Sequence, residues 1–234
     1  MKRLVINGCS YADVYAQGGG HVALAKQLNI EQTKSLTISG ACNTRILRTT
    51  LKDSYCNLTP TLYVIGLSFL SRSELPIASP DHSRGEGRWL SIINHAPDNV
   101  EYDQGWNTKL VEQFIDIRLK YQVYSVVDRL EDLMYRVLSF INDLKSRGHQ
   151  VVVFKQAEDI YETYLTDSRF DLLTKSVNII DGLRWCANDW QYERGVISSL
   201  MDAHLPRSIR HPAPGQYQVL NNFLVDYINT NKLL

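Results

Sequence analysis

The stretch VINGCSYADVY, residues 5 to 15, begins as an apolar run and then breaks into Gly8, Cys9 and Ser10. With Arg3 and Leu4 in front of it, the run RLVIN over 3–7 is short and rich in β-branched side chains. A strand covered on both faces in a parallel sheet reads this way, continuously apolar rather than alternating. Ending such a strand on a small residue, a thiol and a hydroxyl puts polar chemistry at its carboxyl end, where doubly wound α/β sheets meet their ligands.

Other segments repeat the pattern. TLYVIGL over 61–67 and QVVVFKQ over 150–156 read as strands, with SLTIS over 35–39 as a shorter candidate. Helical patterns lie between them at 20–29, at 43–55 and over 125–147. In the last of these, Val126, Val127, Leu130, Leu133, Met134, Val137, Leu138, Ile141 and Leu144 recur at helical spacing. Ser125 and Asp128 form a capping pair there, and Gly148 suits the stop. A final helix is expected over 215–230. Strands alternating with helices predict βαβ units, hence a parallel sheet in one domain over 1–234. The stretch 70–120, with Pro76, Pro80, Gly85, Gly87 and Pro97, predicts an irregular insertion above one end of the sheet, and 158–210 is too weakly periodic to divide into elements.

The chain has 234 residues, 44% hydrophobic and 10% aromatic, enough for a sizeable core. Lys and Arg total 25 and Asp and Glu total 25, so no net field draws the protein to nucleic acid or an anionic membrane, and neither is expected as a partner. No apolar run approaches the roughly 20 residues of a membrane span, and MKRLVING lacks the regions of a signal peptide. A soluble, cytoplasmic protein is the expectation. Cys9, Cys42, Cys56 and Cys186 form no CxxC pair and are read as reduced thiols. His21, His82, His95, His149 and His204 show no HxH or HExxH spacing, so no metal and no cofactor are expected.

Three strand-end loops carry small and polar residues: GCSYAD, SGACN and GLSFLSRSE. Ser10 in the first becomes a nucleophile if a base stands beside it. In the second, Gly40 offers a backbone N–H that an oxyanion can approach, and Asn43 offers a carboxamide donor. His211, in RHPAPGQY just before the last helix, is the candidate base. Each residue alone has a plainer reading, since Ser10 and Asn43 suit helix caps and Gly40 a tight turn. Their co-occurrence in chain order favours a site. Arg72 and Glu74 in the third loop are either substrate-binding, with Glu74 holding the Arg72 guanidinium, or a structural ion pair. Trp89, Tyr102, Trp106 and Trp185 form either a sugar-stacking wall or a local core.

GCSYADV, ISGACNTRILRTT, VIGLSFLSRSE and HPAPGQYQVLNNFL together resemble the ordered blocks of the SGNH (GDSL-like) hydrolase superfamily, in particular a divergent branch common in bacteriophages. The resemblance covers the first third and both ends of the chain. It implies a three-layer α/β/α sandwich with a flavodoxin-like parallel sheet, interrupted here by a long insertion after the third strand. It also implies Ser10 as nucleophile, the N–H groups of Ser10 and Gly40 as oxyanion donors, and His211 as base. Two positions depart from the family pattern. Gly66 is followed by Leu67, Ser68 and Phe69 where G-x-N-D is usual, so Asn43 must substitute or a donor is missing. Ser208 stands three residues before His211 where an aspartate is usual, so the orienting acid is Asp202, another acid, or absent. The implied activity is an ester hydrolase acting on a small-molecule or glycan ester such as an O-acetylated carbohydrate. The alternative is an inactive sandwich of the same fold serving as a phage structural or binding component. Virion association and homo-oligomer partners are both compatible with the phage branch.

Overall fold

In the computed structural model the described residues are 1–39, 41–68, 70, 72–76, 89–92, 126–155, 166–176, 179–180 and 214–234. They run β1 (Arg3–Asn7), α1 (Ser10–Gln17), α2 (Gly20–Gln27), β2 (Gln32–Ser35), α3 (Asn43–Cys56), β3 (Thr61–Leu67), β4 (Ser73–Pro76), β5 (Trp89–Ile92), α4 (Val126–Ser146), β6 (Gln150–Lys155), α5 (Asp171–Ser176), β7 (Ile179–Ile180) and α6 (Pro214–Thr230). The main sheet has the order β2-β1-β3-β6-β7 and every pairing in it is parallel. This is the flavodoxin-like order, in which the chain steps outward from β1 to β2 and then crosses back to β3 on the other side.

The three apolar runs of the sequence sit in the middle of this sheet because both of their faces are covered. Val5, Tyr63, Ile65 and Val153 pack on one side with Ile46 and Leu47 of α3 and with Leu130, Met134, Val137 and Leu144 of α4. Leu4, Leu62, Val64, Val152 and Phe154 pack on the other side with Leu24 and Leu28 of α2 and with Leu224 and Ile228 of α6. The result is the expected three-layer α/β/α sandwich. Helix α4 ends as its sequence predicts: Gly148 takes φ 78°, and the His149 N–H returns to Leu144 O at 3.1 Å.

The structure differs from the sequence reading in three places. The edge strand β2 pairs with β1 through the polar residues Gln32–Ser35, three residues earlier than SLTIS. An edge strand has one open side and here an exposed face, so it carries no apolar run to betray it. The apolar residues of SLTIS still bond β1 and the residue after it, through Leu36 N–H to Ile6 O at 2.9 Å and Ile38 N–H to Gly8 O at 3.3 Å, but outside the ladder. Helix α1 is absent from the sequence reading because eight residues are too few for a periodicity to emerge; Ala12, Tyr15 and Ala16 are among those it buries. Within 70–120, read as irregular, β4 and β5 form an antiparallel pair with Ser73 opposite Ile92 and Pro76 opposite Trp89. The glycines at 18–20 lead into α2: Gly19 takes φ 77° before it, and a Cβ on Gly20 would lie 2.2 Å from the Tyr15 ring.

A buried charge network closes the amino end of the sheet. Asp53, on α3, receives Arg3 Nη1 at 2.7 Å and Nη2 at 2.9 Å, Lys34 Nζ at 2.7 Å and the Tyr63 hydroxyl at 3.0 Å. Burial alone would raise this carboxyl, but the hydrogen bonds from Arg3 and Lys34 outweigh it and bring it from 3.8 down to about 2. Because the folded value lies below the unfolded one, the contribution is complete above pH 3.8 and is lost as the pH falls toward about 2. Replacing Asp53 with Asn strands the Arg3 guanidinium among apolar neighbours, with an expected loss of about 3–5 kcal/mol near neutral pH. Denaturant titrations of wild type and Asp53→Asn across this range should show the gap between them narrowing in acid. A gap that stays constant would contradict the network's role.

Candidate active site at the carboxyl edge of the sheet

Ser10 is the first residue of α1, which starts right after the Gly8-Cys9 turn that ends β1. The first helical bond runs from Asp13 N–H to Cys9 O at 2.9 Å. The amides at a helix start have no carbonyl within the helix to bond, so the Ser10 N–H stands at the end of α1 suited to meeting negative charge. The thiols around it are structural. Cys9 is fully buried in the core beside Val5 and Ile46, and burial pushes the Cys42 thiol up to about 11.

The second loop is fastened on both sides. Asp13, one turn into α1, accepts from Thr37 Oγ1 and Ser39 Oγ, each at 3.1 Å, and from Gln17 Nε2 at 3.2 Å. It therefore ties the helix that begins with Ser10 to the segment leading into Gly40. At the other end of the loop Asn43, the first residue of α3, reaches the end of β3. Its Oδ1 accepts the Ser68 N–H at 2.7 Å and its Nδ2 donates to Ser68 O at 2.9 Å. β3 stops pairing with β6 at Leu67, so the fully buried Ser68 has left the ladder and needs partners for both backbone groups. The carboxamide supplies both. Asn43, read from sequence as an oxyanion donor, thus has its oxygen and an Nδ2 proton engaged with the backbone of Ser68.

In the third loop Arg72 Nη1 donates to Ser68 Oγ at 3.1 Å. Glu74 is paired with Arg48 of α3 instead of with Arg72 as supposed: Arg48 Nη2 lies 3.0 Å and Nε 3.3 Å from its carboxylate, which is 2% exposed. The sequence spacing Arg72-x-Glu74 suggests a local pair, but Arg72 stands before β4 and turns to Ser68, while Glu74 within β4 meets Arg48 of α3. Gly40, Asp202 and His211 lie outside the described residues, as do Tyr102, Trp106 and Trp185; Trp89 is the first residue of β5.

Helix α6 is oriented by its contacts. Leu220 packs against the cluster of Ile6, Ala12 and Tyr15 as well as against the larger cluster, which Leu224 and Ile228, further along, join without touching the first. The Tyr15 hydroxyl donates to Asn221 Oδ1, and Asn221 Nδ2 donates to Gly20 O at 3.1 Å, a fastening that joins residues 206 positions apart. α6 therefore runs from the carboxyl edge of the sheet toward its amino edge, with Pro214 starting on the side where α1 starts. Sequence reasoning missed Asp13 and Ser68, and the signal for Asp13 was available: an acid followed by a Thr-x-Ser pair in the next strand-end loop.

Among the described residues no helix is long and apolar enough to cross a membrane. Removing the Asn43 carboxamide takes away the partner it gives to both backbone groups of buried Ser68, so Asn43→Ala is expected to lose about 2 kcal/mol or more in equilibrium unfolding. A change below about 0.5 kcal/mol would show that the clasp does not hold the third loop.

No family model matches the chain, and no curated protein matches it in sequence. Among solved structures it is similar to the psychrotrophic esterase EstA from Pseudoalteromonas sp., at 12% identity and TM-score 0.50 over 98% of each chain. It is similar also to TesA, at 13% identity and TM-score 0.50 over 99% of each chain. A GDSL-like lipase from Bacteroides thetaiotaomicron matches 98% of this chain and 89% of its own at 12% identity, with TM-score 0.46. At such identities the likeness is one of fold: the chain has the α/β/α architecture of SGNH-type hydrolases.

Proposed function

We propose that the protein is a serine ester hydrolase of SGNH type. The observation that carries this reading is the position of Ser10, at the start of α1 and directly beyond β1, the strand from which a sheet of flavodoxin-like order reverses direction. Crevices at that switch point are where such sheets take ligands. His211 precedes the first residue of α6 by three positions, and α6 starts at the same edge of the sheet. That direction supports His211 as the partner of Ser10.

The reaction then follows from the groups. Ser10 Oγ attacks the acyl carbonyl while His211 takes its proton, and the N–H groups of Ser10 and Gly40 receive the oxyanion, aided by Asn43. His211 returns the proton to the leaving alcohol. Water, deprotonated by the same imidazole, releases the acid from Ser10. Asp202 orients the imidazole in this scheme, and Arg72 is the substrate contact, with Glu74 serving through Arg48 to hold the third loop. Losing one oxyanion donor costs about 10²–10³-fold in rate, and lacking the orienting acid up to about 10⁴-fold, so a slow esterase tolerates both departures from the family pattern. For the substrate we propose an acyl ester of a carbohydrate, with the tryptophans of the insertion as the sugar contact.

Ser208 at the usual aspartate position favours a second reading, a glycan- or protein-binding sandwich without turnover. A fluorophosphonate probe separates the two. The hydrolase reading expects labelling that maps to Ser10 and disappears in Ser10→Ala, with p-nitrophenyl acetate turnover falling to background in the same variant. Equal turnover by wild type and Ser10→Ala, or a label elsewhere, would refute it.

A further inference from the structure

β1 is buried throughout, and between Arg3, which pairs with Asp53, and its last residue Asn7 it is apolar; Asn7 is 1% exposed and sits opposite Ile65 of β3. A carboxamide at that depth is costly unless every polar atom is bonded. Here all of them are. Nδ2 stands 2.9 Å from Ile46 O, 2.8 Å from Thr49 Oγ1 and 2.9 Å from Thr50 Oγ1, three acceptors on one turn of α3. Oδ1 accepts the N–H of Gly8 at 2.9 Å. The two threonine hydroxyls give their own protons to helix carbonyls, Thr49 to Arg45 O at 2.9 Å and Thr50 to Ile46 O at 2.8 Å. Each is thereby left with a lone pair aimed at Nδ2, and the orientation of the carboxamide is set from both ends.

This side chain lies three residues before Ser10 and bonds the first peptide of the turn that presents it. The helix it bonds is the one whose amino end carries Asn43 and follows Gly40. Asn7 therefore sets the height of the Gly8-Cys9-Ser10 turn against the element that carries the oxyanion loop. We propose that Asn7 is a positioning residue for the hydrolysis, acting through Gly8 and α3 without touching substrate. This rests on the serine-hydrolase reading above. A misplacement of about 1 Å in a reacting group costs on the order of 10²-fold in rate.

The test compares Asn7→Leu, which keeps the size but removes the bonds, with Thr50→Val, which keeps the shape and removes one acceptor far from substrate. Each is assayed with p-nitrophenyl acetate and the fluorophosphonate probe at a temperature well below its own unfolding midpoint, so that the folded enzyme is what is read. The expected result is a kcat lowered about 10–100-fold in Asn7→Leu and about 3–10-fold in Thr50→Val, with KM within about twofold of wild type and an unshifted pH profile. If Asn7→Leu does not fold, Thr50→Val decides alone. Wild-type kcat in the folded variants, whatever their unfolding midpoints, overturns the positioning role and leaves the hydrolase reading standing. A wild-type protein that neither turns over ester nor takes the probe overturns both.

Discussion

Where a buried strand leaves its sheet, its peptide groups lose their ladder partners and must find others before water is excluded. The middle of this sheet faces that requirement at the carboxyl ends of β1 and β3, and an asparagine meets it each time. Asn7 takes the N–H of Gly8 as β1 ends, and Asn43 takes both backbone groups of Ser68 as β3 ends. Both carboxamides work between a strand end and α3. A side-chain amide mimics a peptide, so each asparagine continues the hydrogen bonding of the sheet for one more residue while turning the chain out of its plane. The loops that gather at this edge inherit their positions from these two contacts.

Helix α3 is fixed at its other end as well. Its carboxyl half carries Asp53, which gathers Arg3, Lys34 and Tyr63 from three strands. One helix is thus tied by ionic bonds at the amino edge of the sheet and by carboxamide bonds at the carboxyl edge, with Ile46 and Leu47 packed into the core between them. Charge suits the closed end, where neighbours compensate it. On the opposite face the Tyr15 to Asn221 bond does for α6 what these contacts do for α3, joining the last helix to the first.

What was legible in the sequence follows from burial. β1, β3 and β6 announce themselves because both of their faces are covered, and α4 because its one apolar stripe is long. β2 does not, since an exposed edge strand has no apolar pattern, and α1 does not, since eight residues are too few for a periodicity to emerge. Ser10 and Asn43 could be nominated from residue type and loop position, but the work of Asn43 depends on Ser68, 25 positions away and unremarkable in sequence. Asn7 carries a sign in the sequence, a polar residue closing the apolar run Leu4–Ile6; its threonine partners more than 40 positions later emerge only once the layers are assembled. Glu74 was paired with the wrong arginine for the same reason, because Arg48 approaches from another layer.

The central claim is spatial: a hydroxyl at the start of α1 and an imidazole just ahead of α6 share one pocket at the carboxyl edge of the sheet. A crystal structure of the protein after reaction with a fluorophosphonate tests it most directly. The account predicts phosphorus bonded to Ser10 Oγ, the phosphoryl oxygen within hydrogen-bond reach of the Ser10 and Gly40 amides, and a His211 nitrogen facing the adduct. An adduct on another residue, or His211 on a different side of the molecule, would contradict it.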